Sequence, residues 1–224
     1  MSIPSVPYWS RFQARSTASS SGQSSTSSRK TFLKAHCGEV AAADFFTSEV
    51  WTQNGLVTYY TLFVIDLNTR RIHLAGSTPT PDESFMAQVA RSLTDGIDGF
   101  LLRHRYLICD RDSKCTAQFR RALESAGIVT ILTPPRAPNC NAFAERFVRS
   151  INEECLDGMM LLGKCSLRRA IREFVEHYHG ERPHQGLGNQ VLTSRPRPSL
   201  AVSTADVRAH ERLGGLFKHY RRAA

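Results

Sequence analysis

Apolar and polar positions along the chain follow patterns that predict a mixed α/β fold. Five short runs rich in β-branched and aromatic residues predict strands. The first three runs follow one another closely, and Asn68 with Thr69 forms a tight connection between the second and the third, so the sheet is predicted to begin with antiparallel strands. The predicted strands are residues 40–46, 56–67, 70–77, 106–110 and 128–132.

Four further segments show the helical spacing of apolar residues. In the first of them, Thr80 is predicted as the N-cap, Pro81 as the first helical residue and Glu83 as the second half of a capping box. Asp112, together with Ser113, is predicted to cap the second helix. The predicted helices are residues 80–96, 113–127, 143–156 and 166–179, and the proline-rich loop 133–142 precedes the third.

Composition divides the chain into three parts. Residues 1–30 contain four basic residues and no acid, and serine dominates 16–28, so this stretch is predicted to be a disordered tail rather than an organellar transit peptide. Residues 31–189 contain all the predicted strands and helices. Residues 190–224 are predicted to be a basic linker and tail.

Charge and cysteine content narrow the range of partners. With 29 Lys and Arg against 20 Asp and Glu, the net charge of +9 and the pI near 9.6 indicate a polyanionic partner, most commonly nucleic acid. Charge alone also allows a basic protein without such a partner.

None of the six cysteines forms the C-x-x-C pair of a zinc knuckle, so free thiols in a reducing compartment are predicted. No apolar run reaches the roughly 18–20 residues of a membrane span.

Three carboxylates stand where the apolar pattern makes a charge unexpected. Asp44 lies within the first predicted strand, Asp110 ends the fourth, and Glu145 opens the third predicted helix. Removing a carboxylate from water costs several kcal/mol unless a cation accompanies it, so each acid either faces solvent, pairs with an arginine or binds a metal. Together the three fit Mg²⁺, which prefers carboxylate oxygens and water. Two such ions about 3.5–4 Å apart can activate a nucleophile and stabilise the leaving oxygen of a phosphodiester.

Two neighbouring acids compete for these roles. Asp66 ends the second strand, but its position beside the turn at Asn68 favours a turn role over metal binding. Asp112 stands two residues beyond Asp110 and is therefore assigned to the helix cap. The two strand-end acids assigned to metal binding are thus Asp44 and Asp110.

Four stretches of the chain carry recognisable motifs: "AAADFF", "LICDRDSKCTAQF", "TPPRAPNCNAFAERFVRSINEECL" and "HYHGERPHQGL". Together they resemble the catalytic core of insertion-sequence transposases of the retroviral-integrase type, the DDE recombinases, from about residue 31 to the C-terminus. The resemblance implies a ribonuclease-H-like fold, in which helices flank a mixed sheet of three antiparallel strands followed by parallel strands. It also implies an acid triad of Asp44, Asp110 and Glu145, and the 34 residues between Asp110 and Glu145 match the family's spacing.

The resemblance also implies an activity and its partners. Members of this family expose a 3′-hydroxyl at the transposon end by hydrolysis, and that hydroxyl then attacks target DNA. The expected cofactors are two Mg²⁺ or Mn²⁺ ions, and the expected partners are transposon-end and target DNA and further copies of the chain assembled on that DNA, with no membrane. The expected location is the bacterial cytoplasm, in association with the nucleoid.

Basic and polar residues near the acids are candidates for DNA contacts. Arg149 stands one helical turn after Glu145 and is predicted to bind a phosphate, the alternative being an intrahelical ion pair with Glu145 or Glu153. Relatives often carry a basic residue seven positions after the glutamate, where this chain has Asn152; this departure allows a polar contact but weakens the electrostatic one. The predicted DNA-contacting residues are Arg136, Arg146, Arg149 and Asn152.

Three functional classes remain open at the level of sequence. Relatives usually carry an upstream domain that recognises transposon ends, and only the serine-rich tail stands before the predicted core, so an N-terminally truncated transposase is expected. The alternative is a non-catalytic, DNA-binding remnant or a regulator of a full-length transposase. A ribonuclease-H-type nuclease would use a fourth acid on the last helix, Glu173 or Glu176, but the glutamate after the proline-rich loop favours the recombinase. His184 is interpreted as structural.

Overall fold

A five-stranded mixed sheet lies at the centre of the structure, a computed structural model that describes residues 37–110, 114–133, 141–193 and 207–222. The strands of this sheet are β1 (Val40–Thr52), β2 (Gly55–Asp66), β3 (Ile72–Thr78), β4 (Tyr106–Cys109) and β5 (Val129–Leu132). Their order across the sheet is β3, β2, β1, β4, β5. The pairs β1–β2 and β2–β3 are antiparallel, whereas β1–β4 and β4–β5 are parallel. The predicted fold class is therefore confirmed.

Within the described residues, four α-helices cover the two faces of this sheet. They are α1 (Glu83–Leu93), α2 (Ala117–Ser125), α3 (Ala142–Ile151) and α4 (Gly163–Gly180), and a π-helical turn, Asn152–Leu156, continues α3. Because side chains alternate along a strand, β1 contributes Ala41 and Ala43 to the core under α1 and α2, and Ala42 and Phe46 to the larger core under α3 and α4. Burial on both faces explains the apolar run of β1. None of these helices combines the length and the hydropathy needed to cross a lipid bilayer.

The first helix begins later than a cap at Thr80 predicts. Asp82 is the N-cap of α1, and its carboxylate accepts the N–H of Phe85 at 2.8 Å. The predicted capping box of Thr80 and Glu83 was therefore wrong. Aspartate is at least as good an N-cap as threonine, and Asp82 stands directly before the first helical residue, where its side chain reaches the free N–H groups.

The second helix also has a different cap. It begins at Ala117, and the hydroxyl of Thr116 accepts the N–H of Phe119 at 3.2 Å. The predicted cap at Asp112 with Ser113 was therefore wrong, because Thr116 is the residue next to the first free N–H groups of α2. Residues 111–113 themselves lie outside the described residues.

The hairpin of β1 and β2 extends beyond its predicted end at residue 46. Residues 47–50 alternate between exposed and buried side chains, as expected of a strand with one face in the core. The turn consists of residues 53–54, and β2 then begins at Gly55, which adopts a φ of +97° that favours glycine and whose carbonyl oxygen accepts from Thr52 Oγ1 at 2.9 Å. This extension is not evident from the pattern of apolar residues because Ser48, a polar residue, occupies a buried position.

Residues 207–222, within the region predicted to be a basic tail, form a β-hairpin against α4. Its strands, β6 (Val207–Arg212) and β7 (Phe217–Arg222), pair antiparallel. Phe217 is buried and stacks on His177 with ring centroids 4.6 Å apart. Beside this contact, Arg212 binds three carboxylates. They belong to Glu173, Glu176 and Glu181, with donor to acceptor distances of 2.8, 2.7 and 3.1–3.2 Å.

Two histidines at the end of α4 serve as hydrogen-bonding groups of the fold. Nε2 of His179 accepts the N–H of Ile72 at 2.9 Å, and burial lowers the pKa of His179 to about 4. His184 is buried, with Nε2 2.8 Å from the carbonyl oxygen of Tyr178, and burial lowers its pKa as well. The structural role predicted for His184 is thus confirmed.

Candidate active site

The register between β1 and β4 makes two aspartates neighbours. The parallel pairing aligns Ala43 with Cys109, so the next residues, Asp44 and Asp110, lie at the same level of adjacent chain segments. Alternation puts both side chains on the sheet face that α3 and α4 cover, since the residues two positions before them belong to that core. Asp44 is half-buried and Asp110 is exposed. Two of the three predicted acids thus meet where β4 ends.

Hydrogen bonds orient both carboxylates. Thr133 directly follows β5, is buried, and donates its N–H to the carbonyl oxygen of Cys109 at 3.0 Å. Its hydroxyl donates to Oδ1 of Asp110. Oδ1 of Asp44 accepts the N–H of Phe45 at 2.8 Å. Each aspartate therefore has one oxygen held by a neighbouring group, which limits the rotation of its side chain.

An asparagine at the start of α3 approaches the same strand ends. Asn141 occupies the N-cap position of α3, is 7% exposed, and donates from Nδ2 to the carbonyl oxygen of Ala43 at 3.5 Å. Its Oδ1 is buried and accepts no hydrogen bond from the described residues. A buried amide oxygen without a partner costs about 1–3 kcal/mol. Asn141 therefore presents an acceptor, beside Asp44, that a cation or a water molecule can satisfy.

Glu145 lies on α3, one helical turn after Asn141, and its side chain is exposed. The buried side of this helix consists of Ala144, Phe147, Ser150 and Ile151. Among the described residues, no three His, Cys, Asp or Glu side chains are clustered as a metal site. The structure therefore brings Asp44 and Asp110 together, and it leaves Glu145 on the exposed side of the helix that packs against β1.

The donor atoms at the strand ends fit a hard divalent cation. The carboxylates of Asp44 and Asp110 and the amide oxygen of Asn141 are the ligand types that Mg²⁺ and Mn²⁺ prefer. Glu145, on the adjoining helix, is a further carboxylate of the same kind. These residues suit the predicted metal, and the three acids are the ones that would hold it.

Three of the four predicted DNA-contacting residues lie on α3 or its π-helical end. Arg146 and Arg149 are exposed, and Asn152 is half-buried. In the parts of the chain that the structure describes, Arg149 forms no ion pair, so the alternative pair with an acid of its own helix is not formed. Arg136 lies outside the described residues. The exposed side of α3 thus presents two guanidinium groups next to Glu145.

Asp66 has the turn role that its position predicts. Its Oδ1 accepts the N–H groups of Asn68 and Thr69 at 2.7 and 2.9 Å, and its Oδ2 lies 3.4 Å from His104. Burial raises the pKa of Asp66, but the contacts with His104, Thr69 and Asn68 outweigh burial and lower it to about 2. Asp66 is thus a structural acid of the β2–β3 turn.

The two acids that a nuclease-type site would use are bound elsewhere. Arg212 donates to Glu173 at 2.8 Å and to Glu176 at 2.7 Å. Within the described residues, neither glutamate lines the cleft beside Asp44 and Asp110. Helix α4 therefore provides neither of them as a fourth acid of that site.

Two residues of the candidate site were missed in the sequence. Thr133 directly follows an apolar strand, as Asp110 does, and Asn141 stands four residues before Glu145, or about one helical turn. Their positions, directly after a strand and one turn before Glu145, were the sequence features that could have indicated their roles. Their roles depend on contacts with Cys109, Asp110 and Ala43, which are distant in sequence and meet only through the strand register.

Comparisons with known proteins give one family match and several structural matches. Residues 126–191 match the family model described as integrase core domain. No curated protein matches the chain. Among solved structures, a chain of the simian T-cell lymphotropic virus intasome in complex with PP2A regulatory subunit B56 gamma matches with 14% identity and a TM-score of 0.52, covering 82% of this chain and 66% of that chain.

Two further structures are integrase catalytic core domains. The BIV integrase core is 14% identical with a TM-score of 0.49, and the match covers 69% of this chain and 91% of that chain. The HTLV-2 integrase core in complex with magnesium, in a trimeric form, is 10% identical with a TM-score of 0.49. That match covers 68% of this chain and 92% of the HTLV-2 chain. At such identities a structural match bears on the fold alone, and the intasome chain shares the fold of this chain.

Proposed function

We propose that the chain is a transposase or integrase that cuts and joins DNA strands, since residues 126–191 match the integrase core domain and an intasome chain shares its fold. The observation that supports this most is the pairing of Ala43 with Cys109, which makes Asp44 and Asp110 neighbours. In the proposal, Glu145 on α3 is the third acid. The motifs quoted above favour an insertion-sequence element as the DNA that the protein moves.

Asp44, Asp110 and Glu145 hold two Mg²⁺ or Mn²⁺ ions in this proposal. Ions held there would supply Lewis-acid chemistry, activating the attacking oxygen and stabilising the leaving one. In the first reaction, water attacks a phosphorus atom at the end of the element, the bond to the 3′-oxygen breaks, and that oxygen takes up a proton. In the second reaction, the free 3′-hydroxyl attacks a target phosphodiester and releases a target 3′-hydroxyl. Each step forms one phosphorus–oxygen bond and breaks another, so no further reactant is needed.

In this scheme, other residues of the chain bind DNA and orient the catalytic acids. Thr133 keeps Asp110 in position, while Arg136, Arg146, Arg149 and Asn152 contact DNA phosphates. The HTLV-2 integrase core is described in a trimeric form. Our proposal includes a homo-oligomer of this chain assembled on DNA, and a location at the bacterial nucleoid.

Purified protein is expected to nick labelled oligonucleotides weakly with Mg²⁺ or Mn²⁺ and to join their 3′-ends to other strands, without preference for an end sequence. The products are resolved on denaturing gels, and the same reaction in excess chelator is the control. Absence of product with both metals, or equal product in chelator, rules out the proposed activity.

A non-catalytic DNA-binding remnant or regulator is the second candidate. The observation that favours it is the exposed position of Glu145, with no three-acid cluster among the described residues. Salt-dependent DNA binding without any cutting in either metal would select this candidate over the enzyme.

DNA affinity is expected to fall steeply with salt, because each phosphate contact releases condensed counterions. Replacing Arg146 and Arg149 together by glutamine should flatten the slope of log affinity against log salt by roughly 0.9 for each lost contact. The matched control replaces Arg91 and Arg121, which are exposed on α1 and α2 at the opposite face of the sheet. Equal slopes for both double variants, or a wild-type titration flat between low and physiological salt, would contradict the proposed interface.

A further inference from the structure

One side of the β1–β2 hairpin faces solvent beyond the helices that cover the rest of the sheet. Along β1, the side chains on this side alternate from Phe45, next to the candidate acids, to Trp51 near the strand end. Thr47, Glu49 and Trp51 are exposed, whereas the residues between them are buried on the other side of the strand. Six residues of an extended strand span about 20 Å, so this open side is long enough for a partner to lie along it.

Three aromatic side chains belong to this side of the hairpin. Trp51 is 52% exposed. Tyr60 of β2 is half-buried, and the register makes it a diagonal neighbour of Phe45. Phe45 is half-buried and lines a small cleft together with Asp44 and Asp110. The aromatic residues therefore form a series that begins beside the candidate acids and ends near the tip of the hairpin.

A lysine lies over the end of this series that is nearest the acids. The ammonium nitrogen of Lys114 is 5.5 Å from the ring centroid of Phe45 and 5.3 Å from that of Tyr60. Glu49, an acid on the same side, accepts the hydroxyl of Thr58 at 2.7 Å. The chain as a whole has a net charge of +9. Flat rings beside a cation, on a basic protein, fit a partner that combines flat apolar groups with negative charge.

We propose that this surface, which we call the aromatic face and which consists of Phe45, Trp51, Tyr60 and Lys114, binds unpaired nucleotides of a DNA strand. Bases stack on the rings, because every base has a flat π surface, and Lys114 binds a phosphate at the end near the acids. Base pairs hide these surfaces in a duplex, so the face prefers a single strand. The choice of DNA rests on the proposed function, whereas stacking does not.

The aromatic face also assigns a substrate feature to the candidate active site. Phe45 directly follows Asp44 and lines the same cleft. A strand stacked on the face therefore enters the site from the hairpin side, with unpaired nucleotides next to the phosphate that reacts. DNA that is unpaired beside the reacting end should react faster than fully paired DNA.

The first test uses Trp51 as an intrinsic reporter. The chain contains two tryptophans, Trp9 and Trp51, so the variant Trp9→Phe leaves Trp51 as the single emitter. Oligothymidylate of about 12 nucleotides, within the usual range of single-strand site sizes, is expected to quench this emission in excess chelator, where no cutting occurs. A blunt duplex of the same length should quench it much less. Unchanged emission with the single strand, or equal quenching by the duplex, overturns the proposal.

Affinity for labelled oligothymidylate, measured by fluorescence anisotropy, separates stacking from plain apolar contact. Trp51→Leu keeps an apolar side chain but removes the ring, and it should weaken binding by at least about fivefold. Leu56, paired opposite Trp51 and 52% exposed, and Leu102, 53% exposed between α1 and β4, provide matched controls. Alanine at either should leave affinity close to that of the wild type, and thermal unfolding curves check each fold. Glu49→Gln should strengthen binding, because it removes a charge that repels phosphates.

Two results of these measurements contradict stacking. A loss for Leu56→Ala as large as that for Trp51→Leu identifies an ordinary apolar contact surface. Self-association of the wild type that Trp51→Leu abolishes, without binding of oligothymidylate, assigns the face to a second copy of the chain. Either result overturns the proposal.

Failure of this proposal and failure of the proposed function are distinguishable. Quenching without strand joining in either metal keeps the aromatic face and rejects the enzyme, and joining without quenching does the reverse. Where both occur, a duplex with a few unpaired nucleotides beside the joining end should react faster than a blunt one, and Trp51→Leu should remove this advantage. Equal rates for both substrates in the wild type reject the assigned substrate feature.

Discussion

Replacing Asp110 by asparagine is expected to lower the proposed metal-dependent strand joining by at least about a hundredfold, because the change removes a charge that would hold the divalent ions. Asparagine keeps the size of the side chain and an oxygen that accepts the hydrogen bond from Thr133. The fold should therefore survive, which a thermal unfolding curve checks. Asp44→Asn is expected to have a similar effect, since the strand register puts Asp44 level with Asp110.

The matched controls are exposed acids near the same helix. Glu153→Gln and Asp157→Asn remove one charge each from the segment that follows α3, away from the strand ends. Both should join strands at the wild-type rate. Glu145→Gln decides whether the acid on the exposed side of α3 takes part, and we expect a loss as large as that of Asp110→Asn. Wild-type rates for the Asp110 variant would remove the basis for the proposed chemistry.

The two aspartates could be located from sequence because one interrupts and the other ends an apolar run. Asp44 interrupts a strand that is buried on both faces, and Asp110 directly follows four buried residues. Charge is unfavourable at such positions without a partner, so the pattern itself indicates a site. Thr133 and Asn141 carry no charge, and their roles depend on a strand register and a helix position that the linear pattern does not contain.

The sheet was predictable for a similar reason, whereas the C-terminal hairpin was not. The five strands of the sheet contain apolar residues in recognisable runs, which are buried in β1 to β4 and packed against the two cores in β5. In β6 and β7 the sequences VRAHER and FKHYRR contain mostly charged and polar residues, and Phe217 is the apolar residue that the structure buries. The hairpin is instead anchored by Arg212, whose partners lie some 30 to 40 residues earlier in the chain. A pattern of hydrophobicity cannot reveal such long-range ion pairs.

Replacing Arg212 by methionine is expected to give the largest loss of stability among the surface-charge changes considered. Glu181 is 4% exposed, and Arg212 is the guanidinium that neutralises its carboxylate, beside His177 at 3.0 Å and His210 at 3.5 Å. Breaking a fully buried ion pair costs about 3–5 kcal/mol. Because Arg212 and Glu176 keep some contact with solvent, we expect about 2–3 kcal/mol in the free energy of unfolding, measured in urea.

The control for this experiment lies on the same hairpin. Lys218 pairs with Glu211 at 3.1 Å, but both side chains are about half exposed, so Lys218→Met should change stability far less. Adding Glu181→Gln to Arg212→Met should recover part of the loss, because it removes the buried charge that Arg212 neutralises in the wild type. If Lys218→Met and Arg212→Met destabilise the protein equally, the Arg212 cluster does not anchor the hairpin.

The same cluster predicts how stability depends on pH. Burial raises the pKa of Glu181, but hydrogen bonds from Arg212 and His177 outweigh it, so that this pKa lies below the usual glutamate value of 4.5. A carboxylate with a lowered pKa in the folded state stabilises the protein at pH values above 4.5, and this contribution is lost as the pH falls below that value. The free energy of unfolding of the wild type should therefore fall on acidification. That of Arg212→Met should fall less, because the interaction that lowers the pKa of Glu181 is already absent.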